Sequence, residues 1–195
     1  EVDYTVNGNV INLHIDKLSS DVLENLRKIM SAETQLPSSD TKKDEAEKDP
    51  TKLAEIKETQ EKITNVLDDV KKIEEKQGTN IQEIKVGDLQ ISKNDLFVKD
   101  ALTKGIGLYY KGQYEEALKW YEKAINTDSK SSEAWFNKGT ALDRLGKQEE
   151  AIKSYDEALK INPVYAQALS NKGVTLDKLG KQEEATKFYD EALKI

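Results

Sequence analysis

The sequence predicts a mainly α fold: a solenoid of three stacked helix-turn-helix units over residues 94–195, preceded by a small α+β module and a long amphipathic helix. Three observations predict it. One phrase recurs at a step of 34 residues without insertion, so that Lys104-Gly105 returns as Lys138-Gly139 and Lys172-Gly173, and this is a period of stacked helix pairs. Apolar residues fall at alternating three- and four-residue steps between Thr51 and Gln77. Near the N-terminus, short runs alternate with the period of a strand around glycine turns.

The recurrence extends through each unit. Gly112, Gly146 and Gly180 keep the stagger, as do Glu115-Glu116-Ala117, Glu149-Glu150-Ala151 and Glu183-Glu184-Ala185, then Tyr121, Tyr155 and Tyr189, then Ala124, Ala158 and Ala192. Gly105, Gly139 and Gly173 fall mid-helix, where glycine costs roughly 1 kcal/mol relative to alanine. Close approach of the partner helix at Ala117, Ala151 and Ala185 is the expected compensation. Gly112, Gly146 and Gly180 follow an apolar run and precede a polar pair, the place of a left-handed helix C-cap.

This spacing of glycine, alanine and aromatic residues resembles the tetratricopeptide repeat family. The fullest match is Ala134-Trp135-Phe136-Asn137-Lys138-Gly139, continuing through Gly146, Ala151, Tyr155, Ala158 and Asn162-Pro163. It covers about half the chain, from Val98 to Ile195. Ala101 and Leu169 stand where Trp135 stands, and Ser129 replaces the proline, so the first unit is the least typical.

The chain has 195 residues, 34% of them charged, with a net charge of −7 and no cysteine. That length admits one domain or two small ones. No apolar stretch approaches the ~18 residues of a membrane span, and disulfide and thiol chemistry are excluded. The compartment stays open, with the cytoplasm favoured over secretion. Residues 1–97 carry 14 basic against 21 acidic side chains, whereas residues 98–195 carry 16 of each. Neither half has the cationic excess that phosphate binding requires, so no nucleic-acid partner is expected. The start at Glu1 suggests trimming or processing. The stop at Leu193-Lys194-Ile195, after an interior-type helix, implies either further repeats or a covering molecule.

Within residues 1–30, Asn7-Gly8 reads as a type I′ hairpin turn, pairing Val6 with Asn9, Tyr4 with Ile11 and Val2 with Leu13. A short amphipathic helix follows over residues 20–31, carrying Val22, Leu23, Leu26, Ile29 and Met30. Residues 31–50 are polar and charged with almost no apolar side chain, the composition of a flexible acidic linker. Residues 51–77 carry Leu53, Ile56, Ile63, Leu67 and Val70 in a heptad-like seam that Gly78 closes. The helix either folds back on its own chain or pairs as a coiled coil with another copy or protein. Residues 81–92 read as a second hairpin around Gly87-Asp88. Ser92 and Asp95 form a capping box that starts the first repeat helix near Asn94.

Repeat stacks curve, and their inner wall is a groove. The resemblance implies that the first helix of each unit lines it: Leu102, Ile106 and Tyr109; then Phe136, Asn137, Thr140 and Asp143; then Ser170, Asn171, Val174 and Asp177. One branch of the family grips the C-terminal carboxylate of heat-shock chaperones with lysine, arginine and asparagine. At the corresponding places this chain has Leu102, Ile106, Gln167 and Asn171, and only Asn137 survives. Without the cations the charge-assisted grip is lost, and an apolar peptide or helix is the better expected occupant. Alternatively, neighbouring helices or the N-terminal segment cover the apolar four, Leu102, Ile106, Tyr109 and Phe136.

Other residues read as structural. Trp120, Trp135, Tyr155 and Tyr189 pack between helices. The glutamate pairs sit at helix starts, where acids complement the dipole, and His14 is a surface residue. Lys104-Gly105-Ile106-Gly107 lies inside a helix and cannot cradle phosphate, and no nucleophile has a companion base. No catalytic residue, cofactor or metal site is expected. The predicted role is a non-enzymatic adaptor that binds a protein or peptide on the concave face. The alternative is a self-assembling structural protein that oligomerises through helix 51–77 or the uncapped last repeat.

Overall fold

A computed structural model describes residues 4–13, 20–32, 34–37 and 49–195. Among them are four strands and eight helices: β1 (Tyr4–Asn7), β2 (Val10–Leu13), α1 (Ser20–Ser31), α2 (Pro50–Gln77), β3 (Glu83–Val86), β4 (Leu89–Ser92), α3 (Lys93–Tyr110), α4 (Tyr114–Thr127), α5 (Ser132–Arg144), α6 (Gln148–Ile161), α7 (Ala166–Lys178) and α8 (Gln182–Ala192). The chain forms two compact units. One holds residues 1–33 and 57–100, the other residues 34–56 and 101–195.

In the first unit both hairpins join one sheet of order β1-β2-β3-β4, antiparallel within each hairpin and parallel between β2 and β3. A parallel pair needs a long crossover, and the chain between β2 and β3 supplies it. Register aligns Val6, Ile11, Ile84 and Ile91 in one row and Tyr4, Leu13, Val86 and Leu89 in the next. Ile11, Ile84, Val86 and Ile91 are buried with Leu26 and Ile29 of α1 and Ile63, Val70 and Ile73 of α2 in one core. Ile63, Val70 and Ile73 of the α2 stripe are thus spent inside this unit.

The first hairpin differs from expectation by a shift of its turn. Val6 pairs with Ile11 and Asn7 with Val10, not Val6 with Asn9 and Tyr4 with Ile11; Val2 and His14 lie outside the described residues. Within this turn only Gly8 takes a positive φ, 61°, and no described non-glycine residue does. A type I′ turn would require Asn9 to do so too, whereas a glycine-first turn of the II′ kind does not. The slip moves each partner by two residues, so the same side chains still face the core.

Helix ends follow local chemistry. Asp49 Oδ1 accepts from the amides of Thr51 (2.9 Å) and Lys52 (3.3 Å) ahead of Pro50 at the first helical position of α2. Ser92 Oγ accepts from Asp95 N at 3.0 Å, and α3 starts one residue before the expected Asn94. Glu74 takes the amide of Ile81 at 2.7 Å and Lys93 Nζ at 2.5 Å, fastening the α2–β3 connection. Burial alone would raise the Glu74 carboxyl, but the Lys93 and Ile81 hydrogen bonds outweigh it and hold the group below its ordinary value.

In the second unit α5 pairs with α6 and α7 with α8; packing of α4 against α5 and of α6 against α7 joins them, and the last part of α3 meets α4 where Gly105 faces Tyr121. Gly146, at φ 76°, ends α5, and Lys147 N bonds Leu142 O at 3.0 Å to close a Schellman motif. The other two units repeat it through Gln113 to Leu108 and Lys181 to Leu176. Between the helices of each pair, the closest approach is not at the alanines. A Cβ on Gly139 would lie 2.6 Å from Tyr155 Cε1, and Gly105 and Gly173 face Tyr121 and Tyr189 at 2.4 and 2.6 Å. The tyrosine ring lies flush on the glycine, while Ala117, Ala151 and Ala185 are buried alongside.

Two outcomes follow from these contacts. Gly139→Ala gains helix propensity of roughly 1 kcal/mol but drives a methyl into a fully buried ring. The net result is a loss of about 1–3 kcal/mol in urea unfolding, and an unchanged midpoint would show that the ring yields. The second outcome concerns the hydroxyls. Tyr155 OH donates to Thr140 Oγ1 at 3.4 Å, whereas the buried Tyr121 OH has no partner among the described residues. Tyr121→Phe therefore leaves stability unchanged or raises it by about 1 kcal/mol or more, while Tyr155→Phe lowers it.

Candidate functional site: the inner wall of the second repeat

The first helix of each pair carries the expected wall residues. Leu102, Ile106, Tyr109, Phe136, Asn137, Thr140, Asp143 and Asn171 are buried, Ser170 and Val174 half-buried, and Asp177 exposed. The apolar members therefore offer almost no free surface. Phe136 has none, and its ring packs with Tyr155 and Tyr165 at centroid distances of 6.0 and 5.0 Å. Tyr109 stacks edge-on with Tyr110 and Tyr114, and its hydroxyl accepts from Arg144 Nε at 2.8 Å. Gly107, one residue past Ile106, faces Ile56 of the α2 start.

The polar members are joined across repeats. Thr140 Oγ1 donates to Phe136 O at 3.1 Å and accepts from Tyr155 OH at 3.4 Å and Asn171 Nδ2 at 3.3 Å, filling all three positions of a hydroxyl. Burial pushes the Tyr155 phenol well above its ordinary range, which keeps it a neutral donor. Asp143 receives Thr175 Oγ1 at 3.3 Å and pairs with Lys178 Nζ. Tyr189 OH donates to Asp177 Oδ2 at 2.9 Å. Among the described residues no three His, Cys, Asp or Glu side chains converge as a metal site.

Asn137 stands apart because its amide is used by backbone rather than by the wall. Its Oδ1 accepts from Leu36 N at 2.9 Å and its Nδ2 donates to Thr34 O at 2.6 Å, so one side chain bridges the two successive peptide units on either side of Gln35. Thr34 Oγ1 donates to Glu133 Oε1 at 2.7 Å, four residues earlier on α5. Thr34 and Leu36 are each about 1% exposed. Residues 34–37 lie in the stretch that composition assigns to a linker, yet they are laid against the second repeat. A lone leucine in a polar run gives no periodicity, and its partners are about a hundred residues away. Only Asp49-Pro50, a cap followed by the proline of a helix start, was a readable local signal in that stretch.

With this geometry in view, comparison with known proteins places the repeats. Family profiles described as tetratricopeptide repeat match residues 102–165 and 154–187. The chain belongs to the tetratricopeptide repeat family. The NMR structure of the second tetratricopeptide domain of human RPAP3, in complex with the HSP70 peptide SGPTIEEVD, is similar. It is 26% identical, covers 51% of this chain and 83% of its own, and superposes with a TM-score of 0.50. The first such domain of Spaghetti (RPAP3), bound to the HSP90 peptide SRMEEVD, is 32% identical over 47% of this chain and 72% of its own, with a TM-score of 0.46. No match to a curated protein sequence was found.

As a tetratricopeptide protein, this chain has the architecture of an interaction scaffold, and no described helix is long and apolar enough to cross a membrane. The Asn137 bracket can be tested without any partner. Asn137→Ala removes two buried hydrogen bonds at about 0.5–1.5 kcal/mol each. The Leu36 amide, protected from hydrogen exchange in the parent, then exchanges at least about tenfold faster. Equal protection in both proteins contradicts the bracket.

Proposed function

We propose that this protein is a non-enzymatic scaffold whose tetratricopeptide repeats hold an extended segment of a partner protein along the inner wall, gripping its backbone through Asn137 and seating an apolar side chain beside it. The observation that carries this reading is the pair of hydrogen bonds from Asn137 to Thr34 O and Leu36 N, a stretch of main chain outside any helix or strand held at that position. The human RPAP3 domain, solved with a peptide bound, supports the same use of the fold.

The chemistry of the occupant differs from an acidic chaperone tail. Leu102, Gln167 and Asn171 stand where basic residues would be needed, Ile106 stands in place of an asparagine, and Lys178 is already paired with Asp143. A partner segment with an apolar anchor and no requirement for a terminal carboxylate fits better. Leu102, Ile106, Tyr109, Phe136, Thr140, Asp143, Ser170, Asn171, Val174 and Asp177 then act as the wall that fixes shape, with Asn137 as the reader. Self-assembly through helix 51–77 is less favoured, because Ile63, Val70 and Ile73 are consumed in the first unit's core.

The test is a peptide array of internal, extended nine-residue segments probed with the full chain and with its Asn137→Ala variant. Loss of two backbone hydrogen bonds predicts weakening by roughly 5- to 150-fold for apolar-anchored peptides. Binding that is indifferent to Asn137→Ala, or confined to peptides with a free acidic C-terminus, counts against the reading.

A further inference from the structure

Nothing in the structure indicates what would occupy the groove between α6, α7 and α8, cover the exposed Leu193 and Ile195, or use the buried Tyr121 hydroxyl, which has no partner among the described residues. The bracketed segment differs, because its occupant is present and its contacts spell out a preference. We infer that the second repeat selects an extended tripeptide of the pattern hydroxyl, any residue, apolar, and that Thr34-Gln35-Leu36 is a resident copy that outside partners displace. This inference rests on the inner-wall binding proposed above and adds both the ligand class and its control.

Each position of the pattern comes from a contact. At the first, Glu133 presents a carboxylate, which can only accept, and the Thr34 hydroxyl donates to it at 2.7 Å, within the range of a charge-assisted bond. A donor is therefore selected there, and an acid or a phosphorylated threonine would be repelled by Glu133. At the second, Gln35 is half-buried, while the peptide unit on its C-terminal side gives its N–H, that of Leu36, to Asn137 Oδ1. The Thr34 carbonyl accepts from Asn137 Nδ2, so this residue reads main chain and tolerates any side chain between. At the third, Leu36 is sealed from solvent, which demands an apolar side chain. The pattern is the reverse of a clamp for acidic tails, which would bring negative charge to Glu133.

Covalent connection gives the resident segment its control. It competes at an effective concentration on the order of millimolar, so an outside peptide of the same pattern meets a filled site and its apparent affinity falls by the fraction of molecules that are open. Ejecting the resident raises that fraction. Replacing both recognition positions, Thr34→Asp with Leu36→Asp, sets a carboxylate against Glu133 and another in the apolar seat.

The experiment uses the full chain and a fluorescein-labelled, end-capped peptide with the sequence of residues 32–38, followed by anisotropy. The doubly substituted chain should bind at least about tenfold tighter than the parent, and adding Asn137→Ala should abolish the gain. Phosphothreonine at the first position, or aspartate at the third, should weaken the peptide at least tenfold. A second readout needs no substitution: saturating unlabelled peptide should expose the Leu36 amide of the parent chain to exchange. Equal affinity for parent and opened chains, with Leu36 still protected, overturns the resident-competitor inference and leaves inner-wall binding standing. If the opened chain prefers other peptides in an Asn137-dependent way, the tripeptide pattern is wrong while the wall reading survives. If the opened, folded chain binds no peptide at all, both fail.

Discussion

The tyrosine ring seated on a glycine is the contact on which the repeat geometry depends. A Cβ at Gly105, Gly139 or Gly173 would fall 2.4 to 2.6 Å from a ring carbon, so any larger residue would push the paired helices apart. Close seating also decides where the hydroxyl of the ring goes. In the second repeat it reaches Thr140 on the facing helix, and Thr140 in turn receives Asn171 from the third. A packing contact between two helices of one unit thereby fixes a polar link between units. In the first repeat the equivalent of Thr140 is Ile106, which offers no acceptor, and the Tyr121 hydroxyl is left without a partner among the described residues. The same ring contact is thus kept where its polar reward is lost, which marks the steric fit as the primary constraint.

The wall that results is different in kind from an open apolar trough. Its large side chains are buried, and its polar groups are mostly committed: Thr140 is saturated, Asp143 is held by Thr175 and Lys178, and Tyr109 takes Arg144. Such a surface has little left to offer a ligand's side chains except fixed shape. Asn137 is the exception, since an amide carries both donor and acceptor and matches the carbonyl of one peptide unit and the N–H of the next. On the proposed reading, recognition centred on it is recognition of main chain, and sequence preference comes from the flanking positions, Glu133 on one side and the seat of Leu36 on the other.

Much of this was legible in the chain and the remainder failed for identifiable reasons. The 34-residue period, the glycine C-caps and the Ser92–Asp95 cap are local or periodic signals, and they appear where expected. The hairpin turn was misplaced because Asn7-Gly8-Asn9 can supply two different turns, and only pairing across strands decides between them. Glycine's partner in the repeat was assigned to the alanines because sequence spacing shows that small residues cluster, but not which ring lies over them. The wall residues were named by resemblance, with cover by neighbouring helices or the N-terminal segment as the alternative, but the contact of Thr34 and Leu36 with Asn137 could not be read because residues 34–37 carry no periodic signature. Composition describes what a segment can bury by itself. It is silent on a segment that borrows its partners from the far end of the chain.

The energetics of that borrowed segment are compatible with the displacement proposed for it. Fixing three or four residues costs roughly 1–2 kcal/mol each in backbone freedom, about 3–8 kcal/mol together. Against this stand two neutral hydrogen bonds at about 1 kcal/mol each, one bond to a carboxylate at about 1.5–3 kcal/mol, and burial of a leucine at about 1.5–3 kcal/mol. The sums nearly cancel. Covalent attachment supplies what is missing, because the segment never has to be gathered from solution. A free peptide making the same contacts must also give up translational freedom, so on the parent chain it competes only at saturating concentration, and at lower concentration it needs additional contacts or a chain whose own segment has been loosened. The near-balance therefore favours a partner that is longer than the resident it replaces and extends along α5 toward the half-buried Ser170 and Val174 of the third repeat, where the wall still has surface to give.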